Sequence, residues 1–423
     1  MRSWRSAQGL RAAGVGVAVL GLMASGCGGD GGGAGADGKV EIRYSWWGGQ
    51  ERATLINKTI ALFEKKHPNI KVKTDFQDYE NFWKKFNTQA SAGNAPDVFQ
   101  NSVAFLRKYD DKRVLLDLSS QVKAGNLSME NFRAGLEKAG NVDGKLLGVP
   151  VGGNTFALVY NPAEYKKVGV TPEEGWTWKQ YDEATEKISK NGKLAGDSGP
   201  GGIMYLYDLV LRQHDKAFFT EDGLGFTEAD LKQWWTDNYD RTRSGVLTDP
   251  KKAEQVKPTS ALSKDLSAGE FTWDNFLVRY TSETKTPLAL APVPTTDGKR
   301  TGQYISSLML SGSARTEHPK EVAEFIDFMV HDPEVGTIMG YDRGVLSTTE
   351  QFEAYKPTGV SAQIAEYEKK VADNVEPITP HPAGADICEA AFLRIGTDVV
   401  MGKTSPEDGA KQFFAEAKTA LAS

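Results

Sequence analysis

The feature that most constrains this chain is the switching of its apolar period between Val40 and Lys108. Val40, Ile42, Tyr44 and Trp46 alternate with Glu41, Arg43 and Ser45, a period of two that predicts a strand ending at Trp47-Gly48-Gly49. Ile56, Ile60 and Phe63 then recur at helical spacing until His67-Pro68 stops the helix. Ile70, Val72, Thr74 and Phe76 alternate again. Tyr79, Phe82, Trp83, Phe86 and Ala90 mark a second helix, and Asp97-Val98-Phe99-Gln100 a third short strand before a helix around Val103 to Lys108. Strand–helix alternation at this spacing predicts a largely parallel sheet covered on both faces. Ligands of such sheets sit beyond the C-terminal strand ends. Here those ends are Trp46-Trp47, Tyr79 and Gln100-Asn101.

Leu147 to Asn161 breaks the rhythm. A short apolar run stops at Pro150, the pair Gly152-Gly153 loosens the backbone, and Asn154 leads into Thr155 to Tyr160, a strand-like run closed by Asn161-Pro162. This suits a crossing between two lobes, and equally an ordinary loop and core strand. Beyond it the pattern turns helical. Thr177-Trp178-Lys179-Gln180 fits a capping box, and Leu231, Trp234 and Trp235 form one helix face behind Thr227. Phe271 to Asn275 and Tyr304 to Leu310 read as further strands, and Pro287 to Pro294 as an extended crossing. Tyr341-Asp342-Arg343-Gly344 is a second candidate hinge. The tail is helical, with Cys388, Ala391, Ile395 and Val399 on one stripe.

The first 26 residues are of another kind. Arg2, Arg5 and Arg11 precede an apolar run, Ala12 to Met23, too short to span a bilayer, and small residues lead into Cys27. This reads as a secretory signal. LMASGC resembles a bacterial lipobox, departing from the usual pattern at Ala24, so Cys27 is expected to carry lipid. Gly28 to Gly38 contains seven glycines and no large apolar residue, which predicts a flexible tether. Cys388 is the only other cysteine, so lipidation of Cys27 leaves no intrachain disulfide. Removing residues 1–26 takes the net charge from −6 to −9, and no basic stripe follows, which argues against nucleic acid as a partner.

The chemistry of catalysis is hard to find. None of the five histidines pairs at metal-ligand spacing, and HExxH, CxxC and GxSxG are all missing. No metal or cofactor is expected. Gly396 to Thr404 imitates a phosphate loop, but with one residue too many between its glycines. Acids such as Asp97 and Asp274 offer, in principle, a pair for glycoside hydrolysis, a weak signal in a chain with 56 acids. The unusual feature is a set of aromatics beside amides at strand ends: Trp46, Trp47, Tyr79, Trp273 and Tyr304. Sugars ask for such a set, ring faces for their C–H surfaces and amides for their hydroxyls. Core packing explains any one of these rings equally well, and is preferred for Trp83, Trp178, Trp234 and Trp235 on helices.

EIRYSWWGGQERATLINKTIALFEKKHPNIKV, AGNAPDVFQ, GVPVGGNTFALVYN and HPKEVAEFIDFMVHDPE, in this order, resemble the extracellular solute-binding proteins of ABC importers, in their carbohydrate-binding, maltose-binding-protein-like branch. The resemblance implies an α/β, two-lobe periplasmic-binding-protein-like fold of type II. Each lobe would be a mostly parallel sheet flanked by helices, and the two would be joined by hinge strands. An N-terminal lobe of 39–150 and 302–340 would face a C-terminal lobe of 151–301 and 341–423. By position, ligand contacts would come from Trp46, Trp47, Tyr79, Gln100, Asn101, Asn154, Tyr205, Trp273, Asp274, Asn275, Tyr304 and Arg343. Glu51 is expected to cap the first helix, and Arg52 to touch ligand or cap. The implied protein is a monomeric lipoprotein on the outer face of the cell membrane, which captures an oligosaccharide and hands it to ABC permease subunits without enzymatic activity. A polyamine or anion receptor is one alternative, with Arg52 and Arg343 leaving acidic sugars open. A secreted carbohydrate-active enzyme is another.

Overall fold

The computed structural model describes residues 39–220, 223–299, 301, 302 and 304–422. Its first strand, β1 (Val40–Trp47), splits its side chains as the period of two requires. Ile42, Tyr44 and Trp46 enter a core with Ile56, Ile60 and Phe63, while Trp47 packs on the other face with Phe82 and Trp83. The helix α1 (Gln50–Lys66) ends at His67, before Pro68. The strand β2 (Ile70–Gln77) pairs parallel with β1 over eight residues, from Val40 opposite Ile70 to Trp47 opposite Gln77. Asp78 then caps α2 (Tyr79–Ser91) through the amide of Asn81. Next come β3 (Val98–Ser102), also parallel to β1, and the short α3 (Leu106–Asp111).

The hub of the sheet is β4 (Val149–Tyr160), twelve residues in one run. Two short strands, β5 (Gly269–Trp273) and β6 (Ala289–Ala291), pair antiparallel with its second half. A long one, β7 (Tyr304–Gly312), pairs antiparallel with its first half and with β3. Val345–Leu346, β8, lies against Gly152 and Gly153, and Glu376–Pro377, β9, against the start of β7. The described sheet has nine strands, in the path β6-β4-β7-β3-β1-β2 with β5, β8 and β9 beside it.

The expected type II α/β fold is present, but apart from the two-residue parallel pairing of β9 with the start of β7, parallel pairing is confined to β1–β3. The strands β5, β6, β7 and β8 return against β4 and run antiparallel to it. The expected loose joint is also part of a strand: β4 runs through Pro150 and both glycines. Its pairing with β7 slips by one residue, from Gly152 opposite Leu308 to Pro150 opposite Met309. A proline without an amide hydrogen is tolerated beside such a bulge. Gly152 is required by close approach, since a Cβ there would sit 2.7 Å from the carbonyl oxygen of Arg343.

The helices behave as their caps predict. Thr177 and Thr227 each open a helix with a reciprocal capping box, to Gln180 and Asp230. Of the helices beyond β4, α4 (Met204–Gln213), α5 (Gly359–Val371) and α6 (Ala385–Val400) border the strand ends. One apolar cluster runs continuously from Trp47 and Phe82 through Leu147 and Phe156 to Phe271, so the core is not cut in two at β4.

Candidate functional site

At the C-terminal ends of β1 and β2, Trp47 stands edge-on to Tyr79, with centroids 5.6 Å apart at 88°, and lies 5.4 Å from Trp83. Tyr79 is 53% exposed, which is unusual for so large a ring. A second wall rises from β5 and α4. Trp273 is edge-on to Phe156 at 5.1 Å and 5.3 Å from Tyr205, whose hydroxyl donates to Glu389 Oε2 at 3.2 Å. The walls are close. The negative charge of Glu389, after burial itself, raises the phenol of Tyr79. Lys108 on α3 meets Asp386 in the first turn of α6 at 2.7 Å, tying the two sides together.

The remaining expected residues divide by strand parity. Trp46 is fully buried on the opposite face from Trp47, stacked on Phe76 at 5.6 Å, and its Nε1 has no partner. Gln100 is fully buried beside the same core, and both its amide atoms are unpartnered. Asn101 faces the other way and donates to Ser311 Oγ at 3.0 Å. Asn154 and Asn275 each hold a buried Oδ1 without a partner. Tyr304 opens β7, and its side chain lies outside the described residues. Cys27 lies outside them as well.

Asp274 turns away from the walls. It is fully buried, its amide donates to the Thr155 carbonyl at 3.0 Å, and its carboxyl packs against that of Glu368 on α5. Burial, then the neighbouring Glu368 charge, raises the Asp274 pKa well above the carboxylate range. Arg343 is 5% exposed and donates to Tyr44 Oη at 3.2 Å. Arg52 is a structural tie. Its guanidinium donates to Asp342 Oδ2 at 2.6 Å, to the Asp342 carbonyl at 2.8 Å and to the Trp47 carbonyl at 3.0 Å. Glu51 is exposed in the first turn of α1, where its charge suits the helix dipole.

Of the buried polar atoms without a hydrogen-bond partner among the described residues, Asn154 Oδ1 and Thr155 Oγ1 lie on β4, Asn275 Oδ1 lies just past β5, Trp46 Nε1 and both amide atoms of Gln100 lie on the core side of β1 and β3, and others, such as Tyr165 Oη, Tyr207 Oη and Glu350 Oε2, lie elsewhere in the fold. Each such atom costs about 1–3 kcal/mol unless something pairs with it. The cavities found in the structure lie elsewhere, one of about 280 Å³ beside Asp197 and Tyr280 and one of about 680 Å³ beside Arg212 and Lys299. Neither includes a residue of the two aromatic walls. Among the described residues no group of three acids, histidines or cysteines is placed to hold a metal.

Sequence reasoning named Trp47, Tyr79, Tyr205 and Trp273 as candidates and did not single out Glu389 or Glu368. Glu389 follows Cys388 on a helix whose apolar stripe hides its acid neighbours, and Glu368 stands among Glu366, Lys369 and Lys370, where it reads as solvated charge.

The sequence profile described as "Bacterial extracellular solute-binding protein" matches residues 47–334. The chain belongs to this family. It is similar to the Multiple sugar-binding protein of Streptococcus mutans, 26% identical over 322 residues, covering 69% of this chain and 71% of that protein. A shorter stretch of 142 residues is 28% identical to the Putative ABC transporter periplasmic-binding protein YcjN of Escherichia coli, spanning 33% of each. Among solved structures, an extracellular solute-binding protein family 1 member from Alicyclobacillus acidocaldarius superposes with a TM-score of 0.73 at 26% identity, over 91% of this chain and 99% of that one. As a solute-binding protein the chain has its aromatic walls where an α/β sheet offers its strand ends. Among its described residues, no helix is long and apolar enough to cross a membrane.

Proposed function

We propose that this solute-binding protein captures an oligosaccharide between two lobes and delivers it to an ABC permease without cutting it. The lobes are 39–150 with 302–340, and 151–301 with 341–423, and β4 and Tyr341 to Gly344 are the crossings. Cys27 carries the lipid that holds a monomer at the extracytoplasmic membrane face. One observation carries this reading: two aromatic pairs, Trp47–Tyr79 and Trp273–Tyr205, come near enough for Glu389, which accepts from Tyr205, to act on Tyr79, with unpartnered buried amide oxygens at Asn154 on β4 and at Asn275 two residues past Trp273. Rings stack on sugar C–H faces, and amides both donate to and accept from hydroxyls. The name of the Streptococcus mutans relative supports the same class of ligand.

In this reading Trp47, Tyr79, Asn101, Asn154, Tyr205, Trp273, Asn275 and Tyr304 contact the ligand. Trp46, Gln100, Asp274 and Arg343 form the layer beneath, which holds the strand ends in place. Ligand bridging the walls favours the closed form by its greater affinity for that form. The buried acids Asp274 and Glu368 face each other rather than a cleft, so they offer no acid–base pair to a glycosidic bond. The test is a thermal-shift screen against neutral and charged oligosaccharides, followed by calorimetry. A binder raises the melting temperature because it binds only the folded chain. A bound saccharide returned intact supports a receptor. Cleavage, or no stabilisation by any saccharide, overturns the reading.

A further inference from the structure

Glu389 is an acid that touches the aromatic walls. Its Oε2 accepts the hydroxyl of Tyr205 at 3.2 Å, and its charge reaches Tyr79 on the other wall. Among the described residues no other donor bonds to it and no cation pairs with it. The neighbouring basic groups are already engaged. Lys108 is held by Asp386 at 2.7 Å, and Arg212 by Asp208 at 3.0 Å. His381, whose ring lies 6.3 Å from that of Tyr205, is pushed down to a pKa of about 4 by burial, and is neutral at pH 7. Nor do the arginines of the first wall supply a free positive charge. Arg52 is committed to Asp342 and the Trp47 carbonyl, and Arg343 is buried against Tyr44.

We infer that Glu389 sets the charge class of the ligand: the cleft takes a neutral or aminated saccharide and rejects one that carries a carboxylate. This rests on the saccharide reading above and narrows it. A carboxylate accepts from sugar hydroxyls and attracts an ammonium group. A uronic acid at the same place puts two like charges together, and the basic groups named above, among the described residues, are engaged elsewhere and do not offset them. The arginine pair, which in the sequence left acidic sugars open, does not offset them, because the structure gives both arginines other partners.

The test titrates the wild-type chain with neutral trisaccharides of different linkage (maltotriose, cellotriose, mannotriose). The C6-carboxylate counterpart of each follows. The neutral ligand is expected to bind at least about ten-fold more tightly than its uronate, a gap that like-charge repulsion readily supplies. Glu389→Gln keeps the shape and an oxygen to accept from Tyr205, and is expected to close that gap: uronate binding improves, while neutral binding loses a charged acceptor and weakens. A purely structural role for Glu389 would weaken both ligands alike and leave their ratio intact. A uronate that binds the wild type as tightly as its neutral parent, or a ratio unmoved by Glu389→Gln, overturns the inference. Should the variant fail to fold, the wild-type ratio decides alone. Failure of both series to bind sinks the saccharide reading itself, and this inference with it, an outcome distinct from preference for the uronate.

Discussion

Replacing Lys108 with Met tests whether the ion pair to Asp386 is a latch between the lobes. The two side chains are 27% and 26% exposed, and Nζ lies 2.7 Å from Oδ2. That is drier than an ordinary surface pair, so the upper end of the surface range, about 1 kcal/mol, applies. Methionine keeps the apolar stem and removes the charge, and with it the contact of Nζ with the Phe105 ring, 5.6 Å from its centroid. If the pair forms only when the lobes are shut, its loss shifts the closed–open balance by about five-fold. Where the open form dominates in the free protein, ligand Kd rises by a similar factor. Wild-type affinity should also fall with added salt more steeply than that of the variant, because the pair is partly screened. Asp386 sits in the first turn of α6, so its own replacement also loses a favourable helix-end charge. A double-mutant cycle with Asp386→Asn, read by calorimetry at low and high salt, removes that complication. A coupling energy near zero, with Kd unchanged in Lys108→Met, refutes the latch.

Other perturbations follow from single contacts. Trp273→Ala removes the ring between Phe156 and Tyr205 and is expected to weaken oligosaccharide binding about ten-fold or more, with calorimetry as the readout; unchanged affinity counts against the site. Gly344→Ala must place a Cβ 2.7 Å from Asn154 Oδ1 on a backbone with φ of +103°, and should lower the melting temperature by an amount equivalent to about 2 kcal/mol or more. Gly125, also at positive φ but with nothing within 4 Å, is the control that isolates the clash. Burial takes the Asp197 carboxyl up to about 7. Below pH 4 it is protonated in both states and contributes nothing. Between pH 4 and 7 the unfolded chain gives up its proton first, so stability falls as pH rises, by an amount on the order of 4 kcal/mol in total. Asp197→Asn should flatten that slope relative to wild type in denaturant titrations, and parallel curves would contradict it.

Much of the fold is legible because local signals and tertiary packing agree. Ile42, Tyr44 and Trp46 share a face because a strand alternates, Thr177 and Thr227 cap helices as their neighbours predict, and His67-Pro68 ends α1. Direction of pairing was not legible. The apolar run from Thr155 to Tyr160 reads the same whether its neighbours run parallel or antiparallel, and only its use as a common partner for β5, β6 and β7 decides it. At the site, Trp46 and Trp47 are adjacent and chemically alike, yet parity sends one to the core and the other to the wall with Tyr79. Asp274 follows Trp273 and is turned away by the same rule. Glu368 and Glu389 come from helices more than ninety residues downstream of these strand ends, and nothing local marks either as a partner for Asp274 or Tyr205. Arg52 read as either a ligand contact or a helix cap because the sequence cannot show Asp342 beside it.

Small-angle X-ray scattering of the mature chain, with and without a saccharide that calorimetry shows to be saturating, tests the closing motion most directly. A smaller radius of gyration on binding, with the bound curve fitting the closed arrangement of Lys108 against Asp386, is the predicted result. Superimposable curves from free and saturated protein would contradict it.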